Sequence, residues 1–350
     1  MDAATTRCAE EFLRRTLSPL AQLLEDESVT EVMVNDPRAI WVQRAGRVER
    51  APVVLGAEAL QAAVALLGRL AGRGPGVPGS DPWVEARFDG LRVAACLPPL
   101  APGGPALCVR RHRRLRPTLR QMACGSPGQA VALARLAQAV RTGEAILIAG
   151  ATDAGKTTLL NALCAEIPPA ERVITLEDTP ELAPDLPHHL ALACDPVSGA
   201  TIRDLLRLAL RLRPDRILLG EVRGPEAFDL VQAAMTGHRG MMATIHASDP
   251  PAALARVESL ALCAGVPWPP QALREAVARA FDLVAVLESR AGVRVVRQVV
   301  RVAGADPDAG YRLHVEADPA SPELADRATA EAGHRPARAC AEPGGCGVPY

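Results

Sequence analysis

Ala145-Ile-Leu-Ile-Ala-Gly150-Ala-Thr-Asp-Ala-Gly-Lys-Thr-Thr158 is the stretch on which the fold turns. Residues 145–149 read as a short apolar strand, and residues 159–166 continue as a helix. Between them lies Gly150-x4-Gly155-Lys156-Thr157. Strand, glycine-rich loop, helix is the context that gives this spacing its chemical meaning. Consecutive backbone N–H groups form a concave nest, and the following helix points its positive end at the same place. Lys156 then reaches the β- and γ-phosphates of a nucleotide, and the Thr157 hydroxyl joins a Mg²⁺ shell. The candidate nucleotide-binding loop is Gly150, Ala151, Thr152, Asp153, Ala154, Gly155, Lys156, Thr157 and Thr158. Asp153 stands where glycine is commonest. Asp tolerates left-handed backbone better than most residues, so the loop can still form with the carboxylate turned to solvent.

The lysine is singular. Of 39 Lys plus Arg, only position 156 is Lys. A chain that otherwise uses arginine for every cation keeps a slim point charge where a broad planar fork would not fit.

Three further apolar strands follow, each ending in a polar residue. Residues 172–176 lead into Glu177-Asp178, residues 217–219 into Gly220-Glu221, and residues 241–245 into His246. Open α/β sheets bind ligands at the carboxyl ends of their strands. An acid there can hold Mg²⁺ or its waters, which suits Glu221. Asp215 precedes its strand and sits at the wrong end. His246, at a strand's edge, is placed to sense a γ-phosphate; His238, at the opposite end, is the weaker candidate. Helices expected over 129–141, 201–212 and 225–235 alternate with these strands, which indicates a mostly parallel sheet.

Upstream, a helix over 12–24, strands at 29–34 and 39–43, a helix over 57–70 and strands at 84–88, 91–97 and 106–111 describe a smaller mixed α/β domain. Residues 72–82, with four Gly and three Pro, form a loop. The expected division is an N-terminal α/β domain over 1–118, a P-loop domain over 119–302 with a last strand at 283–287, and a tail over 303–350 that is largely disordered from Glu316.

Composition limits the alternatives. A net charge of -1 gives no overall bias toward nucleic acid or anionic lipid, and direct nucleic-acid binding is not expected. Nine scattered cysteines without a CxxC indicate reduced thiols and a cytoplasmic chain. Residues 1–11 carry acids and no apolar run, and no stretch approaches the ~20 apolar residues of a membrane span. Membrane contact would go through a partner.

Taken in order, these segments resemble the ATPases that power type II secretion, type IV secretion and type IV pili. The resemblance rests on the phosphate loop, an acidic box (Glu177-Asp178-Thr-Pro-Glu181), a second acidic box (Gly220-Glu221-Val-Arg-Gly224) and a histidine box (Thr236-Gly-His238 to Thr244-Ile-His246). It extends upstream through Val29-Thr-Glu-Val-Met-Val-Asn35, Phe88-Asp-Gly-Leu-Arg92 and Pro98-Pro99 to Arg110, and covers roughly residues 18–300. Glu226-Ala-Phe-Asp-Leu230 and Met242-Ala-Thr-Ile-His246 lean toward the Flp/Tad pilus branch, with the conjugation branch close behind.

The resemblance implies a RecA-like domain in a homo-hexameric ring, with ATP and Mg²⁺ as cofactors and nucleotide lying between the two domains of a subunit. It implies that Glu177 orients the attacking water and that Glu221 acts on Mg²⁺. Arg87, Arg92 and Arg110 would contact phosphates, and Arg207 or Arg211 could reach a neighbouring subunit. The ring would drive an inner-membrane platform protein from the cytoplasmic face. A nucleotide-dependent scaffold that barely hydrolyses is the alternative that Asp153 supports.

Overall fold

In the computed structural model, the described residues are 15 and 17–319, less 27, 45–46, 72–73, 76, 78–79, 89–90, 112–116, 124–125, 195–197, 291–292 and 309. The chain divides into two compact units, the first running to Leu115 and the second starting at Arg116.

The first unit opens with helix α1 (Ser18–Glu25). Strands β1 (Val29–Asp36), β2 (Ala39–Arg44) and β3 (Arg47–Arg50) follow, then α2 (Ala57–Leu70), β4 (Trp83–Phe88), β5 (Leu91–Cys96) and β6 (Ala106–Arg111). Its sheet has the order β3-β2-β1-β6-β5-β4, with every pairing antiparallel. Alternation decides the faces: Val32, Val34, Ile40, Val42, Val93 and Val109 point into one core with Leu60, Val64 and Leu67 of α2. The opposite face carries polar residues such as Glu31, Gln43, Arg92 and Arg110.

The second unit contains α3 (Leu119–Ala123), α4 (Pro127–Thr142), β7 (Ile146–Gly150), α5 (Lys156–Cys164), β8 (Val173–Glu177), β9 (His189–Ala193), α6 (Ile202–Ala209) and β10 (Arg216–Leu219). It continues with α7 (Glu226–Met235), β11 (Met242–Ile245), α8 (Pro250–Leu262), α9 (Pro270–Ala280), β12 (Leu283–Arg290), β13 (Val293–Asp306) and β14 (Gly310–Ala317). The sheet order is β14-β13-β12-β7-β11-β10-β8-β9. The six strands from β12 to β9 are parallel, and β13 and β14 add an antiparallel hairpin at one edge.

Every residue of β7, β8, β10 and β11 is buried, since helices cover both sheet faces. Leu147 and Ala149 pack with α6, α7, α8 and α9 on one face. Ile146 and Ile148 pack with α4 and α5 on the other. That is why these strands read as unbroken apolar runs. Local signals bound the helices: Thr201 and Asp204 form a capping box at the start of α6, and Gly143 closes α4 at φ 77°.

The expected tail needs correction at its start. Residues 303–306 complete β13 and 310–317 form β14, paired through Val300↔Val315 and Val302↔Leu313. Arg135 and Arg301 each ion-pair with both Glu144 and Glu316, which ties β13, β14 and α4 together. The polar composition of that stretch suits an edge hairpin with one solvated face, which lowers the hydrophobic signal without removing the strands. Residues 320–350 lie outside those described. Strands β3 and β9 have no counterpart in the sequence reading; both are edge strands, with weak apolar alternation.

Candidate functional site

The parallel order places the carboxyl ends of β7, β11, β10 and β8 side by side, so residues about 100 positions apart in sequence meet at one edge. Lys156 opens α5 directly after the loop. Its side chain is 7% exposed. Nζ donates to the carbonyls of Gly150 (3.1 Å) and Ala151 (2.8 Å) and lies 3.3 Å from His246 Nδ1. Burial lowers the Lys156 pKa, with Glu221 and Asp153 opposing the shift. A desolvated ammonium resting on neutral acceptors is a site that an anion improves.

The loop backbone has the required shape. Gly155 is at φ 92° and Asp153 at φ 61°, so Asp153 occupies the left-handed region expected of it, with an exposed side chain. Gly150 is needed for close approach: a Cβ there would lie 2.7 Å from the Leu287 carbonyl of neighbouring β12.

Glu221 follows β10 and stands at the centre of a charge network. Its Oε1 is 3.0 Å from His246 Nε2, and its Oε2 accepts from Arg223 Nη2 at 2.7 Å. Arg223 Nη1 lies 3.5 Å from Asp178 Oδ2, so this arginine bridges the two acidic boxes. Burial pushes the Glu221 pKa up, but Arg223, then His246 and Lys156, hold it below the usual carboxylate value. His246 is lowered by burial and by Lys156, against the pull of Glu221. A neutral His246 with its proton on Nε2 donates to Glu221 and leaves Nδ1 to accept from Lys156. His246 therefore couples the lysine to the acid.

Glu177, the last residue of β8, is 4% exposed. Its Oε1 accepts from the backbone N–H groups of Glu181 (2.9 Å) and Leu182 (3.0 Å). Gly220 makes room for it, since a Cβ there would be 2.9 Å from Glu177 Cγ. The carboxylate is held by the loop of its own box, so its orientation is coupled to that loop. In the same box the Thr179 hydroxyl is buried with no hydrogen-bond partner among the described residues. Such a group fits a site completed by solvent or ligand.

Two supporting residues escaped the sequence reading. Arg223 was visible only as part of a motif, and its bridging role needs the strand order. Glu226 is buried and accepts from the N–H groups of Arg223 and Gly224, both at 2.7 Å, which fixes the turn carrying Glu221 and Arg223. An acid in the first turn of a helix, as here in α7, was the available signal.

His238 lies at the far end of the helix–strand connection, with Nδ1 3.2 Å from the Ala233 carbonyl, and is not part of this cluster. Arg207 is engaged within its own unit, donating to Asp229 at 3.0 Å. In the first unit, Arg87, Arg92 and Arg110 occupy one row across β4, β5 and β6, with Glu31 next in line on β1. Like charges directly opposite one another are unfavourable, and Glu85 offsets part of that by accepting from Arg92 Nε at 2.6 Å.

The donor set suits a nucleoside triphosphate with a divalent cation. The loop and Lys156 could offer donors to phosphate, and Glu221 and Thr157 carry hard oxygens of the kind Mg²⁺ takes. Among the described residues, no cluster of three or more His, Cys, Asp or Glu forms a metal cage.

The family described as type II/IV secretion system protein matches residues 14–304. The type IV secretion system protein PtlH of Bordetella pertussis is 36% identical over 337 residues, 86% of this chain and 97% of that protein. The conjugal transfer protein TrbB of Rhizobium radiobacter is 35% identical over 298 residues, 81% and 87% of the two chains. Among solved structures, the ATPase DotB of Legionella pneumophila superposes with a TM-score of 0.57 at 19% identity, covering 88% of this chain and 81% of that one. The pilus retraction motor PilT with bound ADP gives 0.57 at 15% identity, covering 91% and 86%. At those identities the likeness concerns the fold: a RecA-like P-loop domain preceded by an N-terminal α/β domain.

Proposed function

Since the chain belongs to the type II/IV secretion system protein family, we propose that it is an ATP-hydrolysing motor subunit of a conjugation-type (type IV) secretion apparatus. The observation that carries the activity is the buried Lys156, joined through His246 to Glu221 at the carboxyl edge of a parallel sheet. The relatives support the branch: PtlH and TrbB are named for type IV secretion and conjugal transfer, which favours it over the Flp/Tad leaning of the sequence motifs.

ATP is held by the loop Gly150–Thr158, with Lys156 on the β- and γ-phosphates. Thr157 and Glu221 would hold Mg²⁺, which would supply charge neutralisation on the phosphates. Glu177 orients the attacking water, and the N–H groups of Glu181 and Leu182 set its direction. His246 reports phosphate occupancy: when phosphate takes Lys156, the imidazole loses its contact and Glu221 gains freedom. Subunits form a homo-hexamer at the cytoplasmic face of the membrane, where the work goes to a membrane-embedded partner. Among the described residues no helix is long and apolar enough to cross a membrane.

Lys156→Ala in the purified, oligomerised chain is expected to abolish phosphate release from ATP. Undiminished turnover would overturn the reading. A wild-type chain that binds ATP but does not turn it over would favour the scaffold reading that Asp153 supports.

A further inference from the structure

The hairpin of β12 and β13 runs past the edge of the sheet and over the phosphate loop. Strand β12 lies parallel to β7 with Leu287 opposite Gly150, and then continues to Arg290. Strand β13 returns from Val293, with Arg294 opposite Ser289. Val296, two residues on and on the same strand face, packs in the core cluster that contains Ala154 and Leu159. Arg294 is therefore directed at the loop. Its Nε donates to the Asp153 carbonyl at 3.1 Å, and its stem covers Gly155, where a Cβ would lie 2.8 Å from Arg294 Cδ.

The two residues that Arg294 touches are the two left-handed positions of the loop, Asp153 at φ 61° and Gly155 at φ 92°. Glycine adopts that backbone freely, whereas Asp does so against steric resistance. Asp153 also brings a carboxylate close enough to Lys156 to favour its charged form, and hence close to where phosphate must bind. The loop thus carries a backbone strain and a negative charge, both at residue 153. A guanidinium bonded to that residue's carbonyl holds the peptide in place and brings a positive charge to the same loop.

The geometry points to Arg294 as a positioning residue that braces Asp153 and so preforms the phosphate-binding nest. This inference rests on the proposed nucleotide site and goes beyond it, since it assigns a role to the hairpin of β12 and β13 and explains how the loop accommodates Asp. Arg294 acts through the loop and not on the reacting atoms, so its effect falls on nucleotide affinity.

The test is a double-mutant cycle on the full chain, titrated by calorimetry with a slowly hydrolysed ATP analogue in Mg²⁺. One net hydrogen bond gives an expected weakening by R294A of about fivefold. KM for ATP rises in parallel, and kcat stays within about twofold. In the D153G background the same substitution changes affinity by less than about twofold, because glycine needs no brace. R294K keeps the charge but loses the planar Nε donor, and is expected to weaken binding by at least half as much, on a logarithmic scale, as R294A. Equal effects of R294A in both backgrounds, or R294K binding like wild type, overturn the bracing role. Each variant is compared by its nucleotide-free melting temperature; should R294A unfold, the R294K arm decides alone. A wild-type chain that fails to bind the analogue overturns the nucleotide site and this inference together. Tight wild-type binding without coupling overturns only the role of Arg294.

Discussion

Gly220→Ala adds one methyl group at a position where the three nearest atoms it would meet all belong to Glu177: Cγ at 2.9 Å, Oε1 at 3.2 Å and Cδ at 3.5 Å. Gly220 is not in the left-handed region, so the substitution carries no backbone penalty of that kind. The cost is therefore overpacking, about 1–3 kcal/mol. To relieve it, Glu177 must draw Oε1 away from the N–H groups of Glu181 and Leu182, at 2.9 and 3.0 Å. Either hydrogen bond to that charge is worth about 1.5–3 kcal/mol, which sets the same scale. For a unit of this size the expected fall in melting temperature is about 2–12 °C. Calorimetry on Gly220→Ala, Glu177→Ala and the double variant separates the causes. With Glu177 truncated the clashing atoms are gone, and the Gly220→Ala cost should drop below about 0.5 kcal/mol. If Glu177 orients the attacking water as proposed, ATP turnover should fall in Gly220→Ala with KM little changed, because that acid is displaced while the loop around Lys156 is intact. An equal stability loss in both backgrounds would refute the steric argument.

The other expectations concern charge and backbone. Arg223→Ala removes the bridge between Glu221 and Asp178 and should lower kcat by up to about tenfold, read by steady-state phosphate release, with the half-exposed position limiting the size of the effect. Gly240→Ala meets two obstacles, a φ of 64° and a Cβ only 1.7 Å from the Nη1 of buried Arg216, which pairs with Glu171. A loss of about 2–4 kcal/mol in chemical unfolding is expected. Glu144 is held below its ordinary value of 4.5: burial opposes this, and hydrogen bonds from Arg135 and Arg301 outweigh it. Its folded pKa is depressed, so its stabilisation is complete above 4.5 and is lost as pH falls through the lower folded value. Glu144→Gln should flatten the stability profile in that acid window; an unaltered slope would remove Glu144 from the account.

Much of the site was legible from residue order. The glycine spacing and a lone lysine define a phosphate loop because backbone conformation and helix polarity are local properties. Fully buried parallel strands show as apolar runs, so β7, β8, β10 and β11 could be recognised, together with the residues ending them: Glu177, Glu221 and His246. The exposed hairpin of β13 and β14 could not, because an edge strand with one solvated face and many arginines has a hydrophobic pattern close to that of a tail.

What the sequence by itself determined is therefore the chemistry of each strand end and the local shape of the loop around Lys156. Only the tertiary structure decided which of these ends touch. The strand order puts β11 beside β7 and β10 beside β11, although both come far later in the chain. That order brings His246 between Lys156 and Glu221, and Arg223 between Glu221 and Asp178. It also carries Arg294 back over Asp153 from 141 residues away. Such contacts depend on packing both sheet faces at once, a long-range condition that no local window of residues encodes.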